Sequence, residues 1–136
     1  LGARTVVAAT VRAIQLLGRQ FVLGRSIDEA RAEAATQRAA LPGLRFSYDM
    51  LGEGARTEAD AQRYLSSYAH AIERIAAGAR AASPMAGDGI SIKLSALFPR
   101  YEVLQRQRVL DELLPRVWTL IEAAAEANLN LTIDAE

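Results

Sequence analysis

Lys93 is the only lysine among 16 basic residues, and it closes a short strand-like run, Gly89-Ile-Ser-Ile-Lys93. Two further runs of the same kind end on acids, Arg45-Phe-Ser-Tyr-Asp49 and Leu131-Thr-Ile-Asp134. An ammonium beside two carboxylates supports three kinds of chemistry. It can pair with a substrate carboxylate, form a Schiff base with a carbonyl, or serve as a structural ion pair with Asp49 or Asp134. Flanking acids keep a lysine protonated, and a protonated amine is a poor nucleophile, which weighs against the covalent route. Asp134 as a general base would need a raised pKa, whereas a neighbouring lysine lowers it, so an electrostatic or orienting role fits better. Asp49 is open to the same readings, with satisfaction of loop amides the plainer one. Glu53 follows in a loop between Gly52 and Gly54, where an acid acts as a mobile gate or is simply solvated.

These charges can meet only if the three runs are strands of one sheet. Read with period two, Phe46, Tyr48 and Met50 share a face, as do Ile90, Ile92 and Leu94, and then Leu131, Ile133 and Ala135. The opposite face holds Ser47 and Asp49, then Ser91, Lys93 and Ser95, then Asn130, Thr132 and Asp134. The stretches between the runs read as helix and are long enough for parallel crossovers. A parallel sheet with helices over its apolar face gathers the three charges at its carboxyl edge, where α/β folds do their chemistry. The polar second face favours a closed barrel over an open sheet covered by helices on both sides.

The helices have recognisable punctuation. Val7, Val11, Ile14 and Leu17 recur at helical spacing up to Gly18, an amphipathic arm. Ser26-Ile-Asp-Glu29 matches a capping box and opens a helix that Pro42-Gly43 stops near Ala40. Thr57-Glu-Ala-Asp60 is a weaker start, because Asp stands in place of Glu, for a helix carrying Tyr64, Tyr68, Ile72 and Ile75 to about Ala82. Leu110 to Ala124 forms a further apolar stripe, which Pro115 should kink or split near Leu114. Tyr64 and Tyr68 lie on a packing stripe, and His70 reads as a surface residue.

Composition removes several function classes. The 136 residues are 51% hydrophobic with a formal net charge of zero, ample for a core and without a basic stripe, so no nucleic-acid contact is expected through this segment. No apolar run approaches the ~18–20 residues that cross a membrane. The absence of cysteine excludes disulfides and thiolate metal sites, and a single histidine excludes a histidine-rich one, so no metal site is expected. The chain opens on Leu1 and stops directly after the third strand-like run, which reads as the front part of a larger domain. The fold expected is therefore α/β: three parallel strands with crossover helices, the beginning of a (β/α)8 TIM-type barrel. Residues 1–25 would be a helical arm and residues 26–136 the incomplete barrel.

Three motifs, in order, resemble proline dehydrogenase, with the nearest likeness to the bifunctional proline utilisation A flavoenzymes of bacteria. They are Phe46-Ser-Tyr-Asp-Met-Leu-Gly-Glu53, Gly89-Ile-Ser-Ile-Lys-Leu-Ser-Ala-Leu97 with Pro99-Arg-Tyr101, and Leu131-Thr-Ile-Asp-Ala-Glu136. The likeness runs from about Phe21 onward, including Gly24-Arg-Ser-Ile27 and Gln105-Arg-Gln-Arg-Val-Leu110. It implies a distorted (β/α)8 barrel with non-covalent FAD that oxidises L-proline to Δ1-pyrroline-5-carboxylate and passes electrons to a membrane quinone. By motif match, Lys93 lies near the substrate carboxylate and Asp134 is the catalytic aspartate ending the third strand. The backbone at Ala135 contacts the flavin, and Asp49 and Glu53 hold arginines of the active-site lid. Other flavin contacts and the arginine pair that clamps the carboxylate belong to later parts of the barrel, so this segment alone is expected to be inactive. The resemblance also admits a fused aldehyde dehydrogenase domain and a cytoplasmic location with peripheral contact at the inner membrane face. Phe98 stands where the family usually has histidine, and Gly54 where it has alanine; Phe98 bears on the polarity of its loop. Two alternatives remain: another barrel enzyme with Lys93 as a Schiff-base lysine, and a non-catalytic helical binding module whose strand charges are structural.

Overall fold

The computed structural model describes residues 2–78 and 81–134, and the side chains of all of these except residues 19–21. The chain divides into two units, one up to Pro42 and the other from Gly43 on.

In the first unit, α1 (Ala3–Phe21) runs past the expected stop at Gly18, and its Val7, Val11, Ile14 and Leu17 are exposed. α2 (Ile27–Ala40) begins where its sequence says it should. The Ser26 hydroxyl accepts from the Glu29 amide at 3.2 Å, but Glu29 reaches back one residue further than a capping box requires, to the Arg25 amide at 2.9 Å. The expected ranking of the two caps is thus reversed. The complete box is Thr57 with Asp60, whose carboxylate takes the Thr57 amide at 3.0 Å and the Arg56 amide at 3.2 Å. The shorter Asp suffices because both amides lie directly over the first turn.

The second unit carries the sheet. β1 (Ser47–Asp49), β2 (Gly89–Lys93) and β3 (Asn130–Asp134) are parallel and lie in the order β1-β2-β3. Asp49 is in register with Ser91, and Lys93 with Asp134. Strand partners share a face, and Tyr48 and Ile92 are buried while Ser47, Asp49 and Thr132 are exposed, as expected; on the central strand Ser91 of the polar face is buried as well. Two glycines are dictated by position. A Cβ at Gly89 would stand 2.6 Å from the Asn130 carbonyl oxygen across the sheet, and Gly52 turns the chain after β1 at a φ of 78°.

Between the strands, α3 (Glu58–Ala76) packs on β2, burying Tyr68, Ile72 and Ile75. It ends short of Ala82 because Gly78, a poor helix former, closes the last turn onto the Ile75 carbonyl. Leu94 does not continue β2 as the alternation suggested. It opens a short helix, α4 (Leu94–Leu97), that brings Ala96 and Leu97 into the core. After α5 (Arg106–Arg108), Val109–Leu113 forms a π-helical turn leading into α6 (Leu114–Glu126). Pro115, which has no amide hydrogen to donate, sits just past this wide turn, so the expected break near Leu114 takes the form of a change of helical register.

One expectation of coverage fails. Ile92 on the central strand is 0% exposed, but Ile133 on the edge strand is 44% exposed. Among the described residues, α3 lies on β2 and α6 on β3, and β3 is at the edge of the sheet, so its apolar face is covered in part. No helix among the described residues is long and apolar enough to cross a membrane.

Candidate active site

The carboxyl edge of the sheet converges on Lys93. Its Nζ lies 2.7 Å from Asp49 Oδ1, 2.9 Å from Glu53 Oε1 and 3.2 Å from Asp134 Oδ2. An ammonium has three hydrogens to donate, and each finds one carboxylate. Partial burial disfavours the charged amine, but the carboxylates, Asp49 foremost, outweigh it and hold the Lys93 pKa above its ordinary value. The amine is therefore a fixed cation at any physiological pH, as the flanking acids led us to expect.

Each acid arrives by a different route. Asp49 ends β1 and reaches diagonally across the sheet. Asp134 ends β3 opposite Lys93 and also accepts a 2.6 Å hydrogen bond from the Ser91 hydroxyl, two residues earlier on the same face of β2. That hydroxyl and then the Lys93 ammonium hold the Asp134 carboxyl below its usual range. Glu53 is the surprise. Expected as a mobile or solvated loop acid, its side chain is 2% exposed, against 36% for Asp49 and 32% for Asp134. Its loop is pinned on both sides. Tyr64 donates to the Gly52 carbonyl at 3.3 Å, and the Ala55 amide donates to the Ser95 carbonyl at 2.9 Å.

Two contributors were not singled out from sequence as site residues. Ser91 lay on the polar face and could have been found by its spacing from Lys93. Tyr68 was placed on the packing stripe, and it is indeed 1% exposed, yet its hydroxyl accepts from the Lys93 amide at 3.1 Å and donates to Glu53 at 3.4 Å. A buried tyrosine needs a partner for its hydroxyl, and that requirement was the available signal. His70 is exposed on α3. Phe98, expected to alter loop polarity, is buried, with the Arg108 and Arg116 guanidiniums 5.4 and 5.9 Å from its ring centre. Arg116 also donates to the Leu97 carbonyl at 2.8 Å and to Glu58 at 2.6 Å, so the ring sits under satisfied charge. Ala135, expected against a flavin, lies outside the described residues.

Comparison with known proteins bears directly on this edge. The proline dehydrogenase family profile matches residues 32–136, which include all three strands and every residue around Lys93. The chain belongs to the proline dehydrogenase family. Relatives include the bifunctional protein PutA of Escherichia coli K12, 48% identical over 124 residues, and that of Rhizobium meliloti, 44% identical over the same length. Each alignment covers 91% of this chain but only 9% and 10% of the relative, so the chain spans about a tenth of their length. A crystal structure of proline utilization A from Bradyrhizobium japonicum matches all of this chain and 13% of its own, with 47% identity and a TM-score of 0.75. A proline utilization A structure from Bdellovibrio bacteriovorus, at 20% identity, shares the fold over 97% of this chain and 15% of its own, with a TM-score of 0.79. The three parallel strands and their crossovers are thus the front part of the proline dehydrogenase TIM-type barrel, preceded by helices.

Proposed function

We propose that this chain is part of an FAD-dependent enzyme that oxidises L-proline to Δ1-pyrroline-5-carboxylate and delivers the electrons to a quinone. The observation that carries the reading is a single lysine held by three carboxylates at the carboxyl edge of a barrel of this family. Membership of the family supports the substrate. On this reading residues 1–25 are the arm and residues 26–136 the barrel part.

The roles follow from charge. Lys93 binds the proline carboxylate as a point charge, and its protonated state makes Schiff-base chemistry unfavourable. Asp134, kept ionised by Ser91 and Lys93, orients the ammonium and stabilises positive charge on the substrate nitrogen rather than abstracting a proton. Three carboxylates around one ammonium leave two negative charges in excess, acceptors that suit the lid arginines expected to pair with Asp49 and Glu53. FAD would supply the two-electron acceptor; its fit rests on the exposed Thr132 on the polar face of β3, and by motif match the backbone at Ala135 would hold it. A fused aldehyde dehydrogenase domain and peripheral contact with the inner membrane face, where a quinone is reached, are parts of the same proposal, as is a cytoplasmic location. Because three strands do not close a barrel, the 136-residue segment by itself is expected neither to turn yellow nor to oxidise proline.

The test uses the full-length protein. It should purify with bound FAD that bleaches anaerobically on addition of L-proline, with the imine product trapped by an aromatic amino-aldehyde. Flavin that proline does not reduce, or borohydride trapping of Lys93 on a carbonyl substrate, would overturn the reading.

Ser91→Ala should move the acid limb of the kcat/KM profile. The Ser91 hydroxyl is the first cause of the depressed Asp134 pKa, so its removal raises that pKa and the limb shifts to higher pH. The linked stability has the same sign. A depressed carboxylate contributes above its unfolded pKa, and the contribution is lost as pH falls through the folded one, so the variant loses it at a higher pH than the parent. An unmoved limb would take Asp134 out of the reaction.

A further inference from the structure

We propose that Tyr68 is a positioning residue that makes Glu53 the fixed counter-ion of Lys93, so that a substrate carboxylate displaces only the more exposed acids, Asp49 and Asp134. The proposal rests on the carboxylate-binding role of Lys93 given above, and it begins from a problem which that role raises. All three ammonium hydrogens already have carboxylate partners at 2.7, 2.9 and 3.2 Å. An incoming carboxylate must therefore replace one of them, and the position of the ammonium during the exchange depends on which partner stays.

The geometry selects Glu53. Asp49 and Asp134 approach from strand ends with about a third of each side chain exposed, against 2% for Glu53. Glu53 is buried, so its carboxylate, once parted from the ammonium, would find no water to replace it. Tyr68 adds the tie. Its hydroxyl takes the Lys93 amide hydrogen at 3.1 Å and turns its own hydrogen to Glu53 Oε1, a long contact at 3.4 Å on the same oxygen that receives Nζ at 2.9 Å. A closed ring results, from the Lys93 backbone through the Tyr68 hydroxyl and the Glu53 carboxylate back to the Lys93 ammonium. The helix that supplies Tyr68 is fixed on β2 through a buried face, so the ring is anchored to the core rather than to a loop. Burial raises the Tyr68 pKa, which keeps the hydroxyl a donor throughout.

The test compares full-length holoenzyme with Tyr68→Phe, Glu53→Gln and the double variant. Tyr68→Phe should raise KM for L-proline about tenfold, the worth of one hydrogen bond to a charged group, with kcat within about twofold and FAD content unchanged. The double variant should be no worse than Glu53→Gln alone, because both changes break one ring. Deuterium uptake in the peptide containing Lys93 should rise in Tyr68→Phe, a readout that needs no substrate. An unchanged KM, a fall confined to kcat or flavin content, or effects of the two changes that multiply would each overturn the positioning role, and unchanged uptake would remove the tie itself. If the parent enzyme does not oxidise proline, the proposed function fails, and deuterium uptake still decides whether Tyr68 ties Lys93 to Glu53.

Discussion

Ile92→Asp, introduced into the full-length protein, is expected to leave no soluble, flavin-loaded enzyme. Ile92 lies in the middle strand, on the helix-covered face, and is 0% exposed. The buried residues that α3 and α6 turn inward are Ala61, Tyr68, Ile72 and Ile75, then Val117, Leu120 and Ala124, and none is a cation. An unpaired carboxylate in such a place costs several kcal/mol after relaxation, a large part of the ~5–15 kcal/mol that holds a typical domain together. Soluble yield and flavin absorbance measure the outcome. A folded, yellow Ile92→Asp enzyme would mean that the two faces of the sheet had been exchanged, and the site assignment would go with them.

Lys93→Met, one residue further along the same strand, should by contrast fold and retain FAD while binding proline poorly. One charge-assisted contact to a substrate carboxylate is worth roughly 1.5–3 kcal/mol, so KM should rise about ten- to a hundredfold. Glu53 loses most within the protein, since its carboxylate is buried and gives up its ammonium partner, so a lower melting temperature should accompany the kinetic change. Lys93→Arg should not restore the parent KM. Three carboxylates surround a single point at 2.7–3.2 Å, which a compact ammonium fills and a planar guanidinium fork does not. Proline kinetics unchanged in Lys93→Met would remove Lys93 from the site.

The two variants draw on different kinds of information. The parity that separates Ile92 from Lys93 was written in the chain itself. Period-two alternation is a local property of the pleat, and helix-length intervals force parallel crossovers, so the shared face of Asp49, Lys93 and Asp134 could be read without coordinates. Caps and breakers were legible for the same reason: Ser26, Thr57 and Pro115 act on amides within a turn of themselves. The motifs around these residues carried the family likeness as well. What remained hidden depended on distances across space. Whether Glu53 is solvated or buried is decided by where the loop after β1 is pinned, through Tyr64 and through the Ser95 carbonyl of a helix on another strand. Whether Tyr68 is only core depends on a hydroxyl meeting the end of β2, and whether Ile133 is covered depends on its being at the sheet edge. Periodicity assigns a side chain to a face; the partner it finds there is set by packing between elements distant in sequence, and that is where the fourth member of the charge cluster and its tie were determined.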